Sequence, residues 1–234
     1  MTQTAPTAAV LIIGDEILSG RTRDTNLNTI ARFLAALGID LLEARTVGDR
    51  ADQIIDALNV LRAGHDYVFT TGGIGPTHDD ITADCVARAF GVALPEHPDA
   101  VAILERRYGA TDFNAARRRM ARIPEGGTLI ANPVTDAPGF QIGNVFVMAG
   151  VPKIMTAMLE DVAPRLRTGV VVQALTAASL AARDVSFGSY PFGHGSVGEV
   201  GTNLVIRGRD EAAVEAAASG LLADLAAAGI AATA

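Results

Sequence analysis

Two periods of hydrophobicity alternate along the first part of this chain. Ala9-Val10-Leu11-Ile12-Ile13 is a continuous apolar run closed by Gly14, as expected of a strand buried on both faces of a parallel sheet. Leu27, Ile30, Ala31, Leu34 and Leu37 then recur at helical spacing and stop at Gly38, a residue suited to the left-handed turn that ends helices. The cycle repeats with a strand over residues 39–47, a helix carrying Ile54, Ile55, Leu58 and Leu61, and a strand over 67–71. A helix is predicted over 79–90. Residues 95–122 read as helical and basic. Short strands follow at 128–131, 139–142 and 145–148, the last two joined as a hairpin over Gly143-Asn144. Ile154, Met155, Met158, Leu159, Val162 and Leu166 mark a further helix.

This order predicts a three-layer α/β fold over residues 8–167, with a doubly wound, mostly parallel sheet and right-handed crossovers. After Gly169 the texture changes. Residues 170–173 read as a strand and 177–182 as a short helix. Residues 185–190 and 202–207 alternate with period two, and an Ala-rich helix over 211–228 turns Val214, Leu221, Leu222 and Leu225 inward. That predicts a small α+β domain of ferredoxin-like type over 170–234, near the lower size limit for independent stability.

The chain has 234 residues, 49% of them hydrophobic, a net charge of −7, no Trp and 5% aromatics. Such a balance offers neither basic surface nor stacking platforms for nucleic acid, and opposes an anionic membrane. No run approaches the roughly 18 apolar residues that a membrane span needs. Residues 1–7 lack a basic stretch and lead straight into a strand, so a cytoplasmic protein is expected. Cys85 is the one cysteine. Its spacing from Ile81 and Ala89 predicts a buried packing role.

Ligands of such sheets gather outside the carboxyl ends of the strands. Gly14-Asp15-Glu16, Val47-Gly48-Asp49 and the run from Thr70 to Thr82 all fall there. The run contains Gly72, Gly73, Ile74 and Gly75, then Thr77, His78, Asp79 and Asp80. A glycine-rich turn lets backbone amides approach a phosphate. Two adjacent aspartates would repel a bare phosphate, and a bridging metal ion removes that conflict. The spacing matches neither a dinucleotide Gly-x-Gly-x-x-Gly nor a Walker loop.

Several of these residues carry a plainer reading. Thr77-x-x-Asp80 imitates a capping box, and Asp49 stands where it would cap the next helix. Asp15 and Glu16 suit a solvated loop as well as a ligand. Asn26 suits a helix cap or a phosphate contact, and His78 a solvated loop or a phosphate donor. Arg117, Arg118 and Arg119 read as a solvated helix face, and Lys153 as a lesser phosphate candidate.

Gly14-Asp15-Glu16-Ile17-Leu18-Ser19-Gly20, Asp24-Thr25-Asn26, Thr46-Val47-Gly48-Asp49 and the Thr70–Thr82 run resemble the N-terminal domain of the CinA-like competence/damage-inducible family. Pro124-Glu125-Gly126, Asn132-Pro133-Val134, Ala137-Pro138-Gly139-Phe140 and Gly150-Val151-Pro152 continue the likeness in order. Gly188-Ser189-Tyr190-Pro191-Phe192 extends it into the small domain. The family has a MoaB/Mog-type molybdopterin-binding fold and is also similar to the N-terminal region of eukaryotic FAD synthases.

The resemblance implies a small-molecule partner, a phosphorylated pterin or nucleotide. It implies metal-dependent hydrolysis of nucleotide pyrophosphates such as ADP-ribose or FAD. Alternatives are adenylylation of molybdopterin in molybdenum cofactor biosynthesis, or ligand binding without catalysis. It points to Asp49, Asp79 and Asp80 as catalytic and metal-binding residues. Magnesium, manganese or cobalt is the expected cation, with potassium as an additional candidate. Gly72, Gly73, Ile74, Gly75, Thr77, Asn26, Asp15, Glu16, Gly150 and Pro152 are the expected phosphate and substrate contacts. Relatives suggest a homo-oligomer, dimer or trimer. Two departures stand out: Thr135-Asp136 replaces the usual Gly-Thr, and Ile154 replaces a glutamate.

Overall fold

A computed structural model describes residues 5–169, 173–175, 185–192 and 201–227. The chain divides into two compact units, Met1–Gly169 and Val170–Ala234.

The first unit is built on a six-stranded sheet. Its strands are β1 (Thr7–Ile13), β2 (Asp40–Val47), β3 (Tyr67–Thr71), β4 (Thr128–Ile130), β5 (Gly139–Ile142) and β6 (Val145–Met148). They lie in the order β2-β1-β3-β6-β5-β4. β2, β1, β3 and β6 run parallel, while β5 and β4 complete the sheet antiparallel. The hairpin joining β5 and β6 turns over Gly143 and Asn144, as the sequence predicts. The Asn144 side chain donates to the carbonyls of Arg62 and His65 at 3.0 and 2.9 Å.

Helices cover both faces because each apolar strand has a buried side chain on either side. The helices in chain order are α1 (Asp15–Leu18), α2 (Asn26–Ala36), α3 (Ala51–Gly64), α4 (Thr82–Phe90), α5 (Pro98–Asp112), α6 (Ala115–Arg118) and α7 (Pro152–Val162). On one face Leu11 and Ile13 of β1 join Ile54, Leu58 and Leu61 of α3, Val86 of α4 and Leu104 of α5. On the other, Val10 and Ile12 join Ile30 and Leu34 of α2 and Met155, Met158 and Leu159 of α7. Cys85 is 1% exposed within the first of these cores, and burial pushes its thiol up to about 11. It is a packing residue.

Three boundaries differ from expectation. Asp15 and Glu16 open the short α1 instead of a loop. α4 starts at Thr82, three residues after Asp79, because residues 77–80 close a turn on themselves before the helix begins. The basic segment is broken at Gly109, whose φ of +73° interrupts α5.

In the second unit β7 (Gln173–Leu175), β9 (Gly201–Gly208) and β8 (Ser186–Phe192) form an antiparallel sheet in that order. α8 (Glu211–Ala227) follows. Val214, Ala217, Ala218 and Leu221 of α8 bury against Ile206 of β9, so the predicted inward stripe holds for Val214 and Leu221, with Leu222 and Leu225 partly buried. The strand start expected at 170–172 and the helix expected at 177–182 lie outside the described residues.

Candidate functional site

The parallel strands bring their carboxyl ends to one edge of the sheet. Gly14, Gly48, Gly72 and Ala149 follow β1, β2, β3 and β6, and ladder bonds continue past the strands. The Gly14 amide donates to the Val47 carbonyl at 3.1 Å and the Gly72 amide to Met148 at 3.2 Å.

Gly72 has φ +103°, and a Cβ there would strike the Ile13 carbonyl on the neighbouring strand. A Cβ on Gly150 would stand 3.3 Å from the Gly72 Cα, so two backbones meet at the floor of the site with no side chain between them. The turn is held by the first residue of α4. Thr82 is fully buried; its hydroxyl donates to the Gly72 carbonyl at 2.9 Å and its amide to Gly73 at 3.0 Å. Among the described residues nothing accepts from the amides of Gly73, Ile74 and Gly75.

The acids form two groups on this edge. Asp49 Oδ2 accepts from the Asp15 amide at 2.9 Å, and Asp15 Oδ1 accepts from the Asp49 amide at 3.4 Å. Partial burial raises the Asp49 carboxyl above its ordinary range. The Asp15 amide opposes that rise, while the charges of Asp15, Glu16 and Asp79 add to it.

The second group surrounds Thr77. Its amide donates to Asp80 Oδ2 at 2.8 Å, and its hydroxyl lies 2.5 Å from the same oxygen and in hydrogen-bond contact with Asp79. That hydroxyl, then Asp79's own amide, holds the Asp79 carboxyl below its ordinary range, with His78 adding a smaller pull.

These contacts remove two of the plainer readings. Asp49 does not cap α3, which begins at Ala51 without a side-chain cap. Asp80 does not sit at the third helical position; it closes the turn from Thr77 ahead of α4.

The three acids expected as one metal-binding set are not preassembled. Among the described residues no three His, Cys, Asp or Glu side chains come together closely enough to hold a metal ion by themselves. Asp49 belongs with Asp15, whereas Asp79 and Asp80 share Thr77. Magnesium is commonly held by one or two carboxylates, with water and substrate phosphates completing its shell. The pair at Thr77 fits that requirement.

A cleft of about 570 Å³ opens over the glycine turn. Of the expected contacts, Glu16, Gly72, Gly73, Ile74, Gly75, Asp80, Gly150 and Pro152 line it. Asp15, Asn26, Asp49, Thr77 and Asp79 support it through hydrogen bonds instead. Asn26 is 4% exposed, and its Nδ2 donates to the Gly150 carbonyl at 2.7 Å. Asp24 takes the capping role, accepting from the amides of Asn26 and Leu27.

The sequence reading missed part of the cleft's lining. Tyr108, Arg117 and Asn132 also line it, whereas Thr135 and Ile154, the two departures from the family pattern, line it where the resemblance placed them. The Arg117 guanidinium lies 4.2 Å from the Tyr108 ring centre and donates to the Asp112 carbonyl at 2.5 Å.

The arginine cluster is half-exposed, as a solvated face would be, but its members are partnered. Arg118 bridges Glu96 and Glu105, and Arg119 donates to the Asp80 carbonyl at 3.0 Å. Arg122 grips both oxygens of Asp84 at 2.9 and 2.7 Å. Asn132-Pro133 carried one usable signal, since Asn builds turns through its own side chain. Asn132 Oδ1 accepts from the Val134 and Thr135 amides, and its Nδ2 donates to Thr135 Oγ1 and the Ala137 carbonyl. His78 is exposed, 4.0 Å from Asp79, and does not line the cleft; neither does Lys153.

Comparison with known proteins gives this edge a family. The chain is 38% identical over 159 residues to a CinA-like protein of Desulfovibrio desulfuricans, covering 66% of this chain and 37% of that one. It is 43% identical over 159 residues to a CinA-like protein of Citrifermentans bemidjiense, covering 65% and 38%. It thus spans well under half the length of these relatives. The crystal structure of the protein CinA from Thermoplasma acidophilum, described as of unknown function, superposes with a TM-score of 0.66. It is 38% identical and covers 69% of this chain and 98% of its own. No helix among the described residues is long and apolar enough to cross a membrane. Residues 159–234 match the FAD synthase middle domain, and residues 9–168 match the family described as "Probable molybdopterin binding domain". The chain belongs to this molybdopterin-binding domain family, in its CinA-like branch.

Proposed function

We propose that the protein binds a phosphorylated heterocyclic compound in the cleft over the glycine turn and hydrolyses its pyrophosphate bond. The observation that carries this reading is the set of amides at Gly73, Ile74 and Gly75, which line the cleft and donate to no described group. Amides fixed in a turn bind phosphoryl oxygens without reorganising, and that preorganisation is the main source of acceleration in phosphoryl transfer.

Arg117 adds positive charge to a protein whose net charge of −7 otherwise repels phosphate. Asp79 and Asp80 would hold a magnesium, manganese or cobalt ion. That cation would polarise a phosphoryl oxygen and make water nucleophilic near neutrality. Asp49 and Glu16, on the same acidic edge, would orient the attacking water and accept its proton. Potassium would act, if at all, as a charge-balancing ion on that edge.

The family match to FAD synthase favours a nucleotide pyrophosphate such as FAD or ADP-ribose. The molybdopterin-binding match favours a second reading, transfer of AMP from ATP to a pterin phosphate. Both use the same phosphate cradle. Release of AMP from ADP-ribose, FAD or NAD with each of the three cations, abolished by chelation, is the expected result. No turnover above the chelated control defeats the hydrolase. AMP transfer to molybdopterin from ATP would then support the second reading, and ligand binding without either reaction would mark a non-catalytic module in what we expect to be a homo-oligomer.

A further inference from the structure

The loop at residues 132–138 has two lined faces. One borders the cleft through Asn132, Thr135 and Ala137. The other borders a second cavity of about 680 Å³, lined by this loop, α5, Leu129 and Asp161. No step of the proposed reaction uses this second cavity.

Its lining charges are equal in number but unevenly paired. Arg106 and Arg107 line it together with Asp136 and Asp161. Asp161 is already engaged, since it pairs with Arg165 and accepts from the Ala131 amide at 3.2 Å. Arg107 and Asp136 are 3.7 Å apart, which is long for a charge-assisted hydrogen bond. Arg106 forms no ion pair with any described residue. With Asp161 engaged by Arg165, Arg106 is the lining charge left without an ionic partner among the described residues.

Apart from Asn132, whose side chain is engaged within its own loop, the remaining lining is apolar. Ile103, Arg106 and Arg107 are three and four residues apart on α5 and so share one face. Leu129 and Pro133 line the cavity with them. Pockets of several hundred Å³ with an apolar body and one or two placed charges are the usual form of small-molecule sites.

We propose that this cavity binds a small organic anion, an apolar body carrying a single phosphate or carboxylate group. The anion pairs with Arg106 and Arg107, and its apolar part rests on Ile103, Leu129 and Pro133. Binding would draw Arg107 away from Asp136.

Phenyl phosphate, an aromatic ring with one phosphate, is the probe, titrated into the full chain and read by backbone amide NMR shifts. Saturable shifts at residues 103–107 and 129–132 are expected. Arg106→Gln should weaken the binding reported there about tenfold, and Arg106→Lys should weaken it less. Shifts reported at residues 72–75 should keep their own midpoint in both variants. Shifts at 103–107 that fail to saturate, or that keep their midpoint in Arg106→Gln, overturn the proposal. The readout needs no turnover, so it stands or falls apart from the proposed hydrolysis.

Discussion

Asp15 and Asp49 are bound to each other's backbone, the Asp15 amide donating to Asp49 Oδ2 at 2.9 Å and the Asp49 amide to Asp15 Oδ1 at 3.4 Å. The exchange ties the ends of β1 and β2 and holds two carboxylates side by side. Burial first, then the charges of Asp15, Glu16 and Asp79, raise the Asp49 carboxyl above its ordinary value of 3.8. A carboxyl raised in the folded state holds its proton more tightly than in the unfolded chain. The resulting stability is present below 3.8 and is lost as pH rises through the folded value. Asp49→Asn keeps an oxygen for the Asp15 amide and removes the charge. It should match the parent in acid and exceed it by roughly 0.5 kcal/mol near neutrality, measured by urea unfolding across that range. A variant less stable than the parent at neutral pH would show that the reciprocal hydrogen bonds, not repulsion, dominate.

At Gly72 both conformation and space are decisive. Its φ of +103° disfavours any side chain, and the obstacle to a Cβ is the Ile13 carbonyl, which belongs to a central strand and cannot yield. Gly72→Ala should cost about 2–4 kcal/mol from strain and overpacking together. Gly91, at φ +68°, faces open space, so Gly91→Ala should cost only about 1 kcal/mol. Thermal unfolding of the two variants side by side separates these contributions.

The sheet and its helices were legible because apolar runs at 9–13 and 67–69 cannot be exposed, and the helical stripe from Leu27 to Leu37 has one solution. The glycine turn was equally legible, since three glycines beside two acids leave few roles. Chain direction at Thr77–Asp80 was not. Asp80 has the same local spacing whether it caps a helix or closes a turn, and the choice is made by Thr82, whose bonds to Gly72 and Gly73 fix where α4 begins. Tyr108 and Arg117 were invisible as a pair. Eight residues, with a break at Gly109, separate them, so no period connects them; only the folded path of the insert brings the guanidinium over the ring. Arg119 illustrates the same limit, because its partner is a backbone carbonyl 39 residues away.

Asn26 holds the cleft floor in place through the Gly150 carbonyl at 2.7 Å, while its Oδ1 is buried with no described partner. Asn26→Leu removes the donor and strands that carbonyl, at a cost of about 1–3 kcal/mol. Asn26→Asp should be worse near neutrality, by about 3 kcal/mol or more, because a buried carboxylate would face a carbonyl oxygen. Protonation would turn the introduced carboxyl into a donor, so the Asp variant should recover as pH falls whereas the Leu variant should not. Equal pH dependence in the two would remove the Gly150 contact from the account of this site.

Arg117 and Tyr108 should act on ligand affinity as one unit. The guanidinium lies 4.2 Å from the ring centre and reaches the cleft from the short helix α6, with the Asp112 carbonyl as its second anchor. An arginine stacked on an aromatic face loses less freedom when it pairs with phosphate. Arg117→Gln should weaken ADP-ribose binding about tenfold, the loss expected for one charge-assisted hydrogen bond. Tyr108→Leu should weaken it about threefold through the loss of that stacking. With Arg117 already replaced, Tyr108→Leu should change the affinity little further, since no cation remains for the ring to position. Calorimetric titration of the two single variants and the double variant tests this coupling. Full additivity would instead mean that the Tyr108 ring meets the ligand by itself, as a stacking surface for its heterocycle.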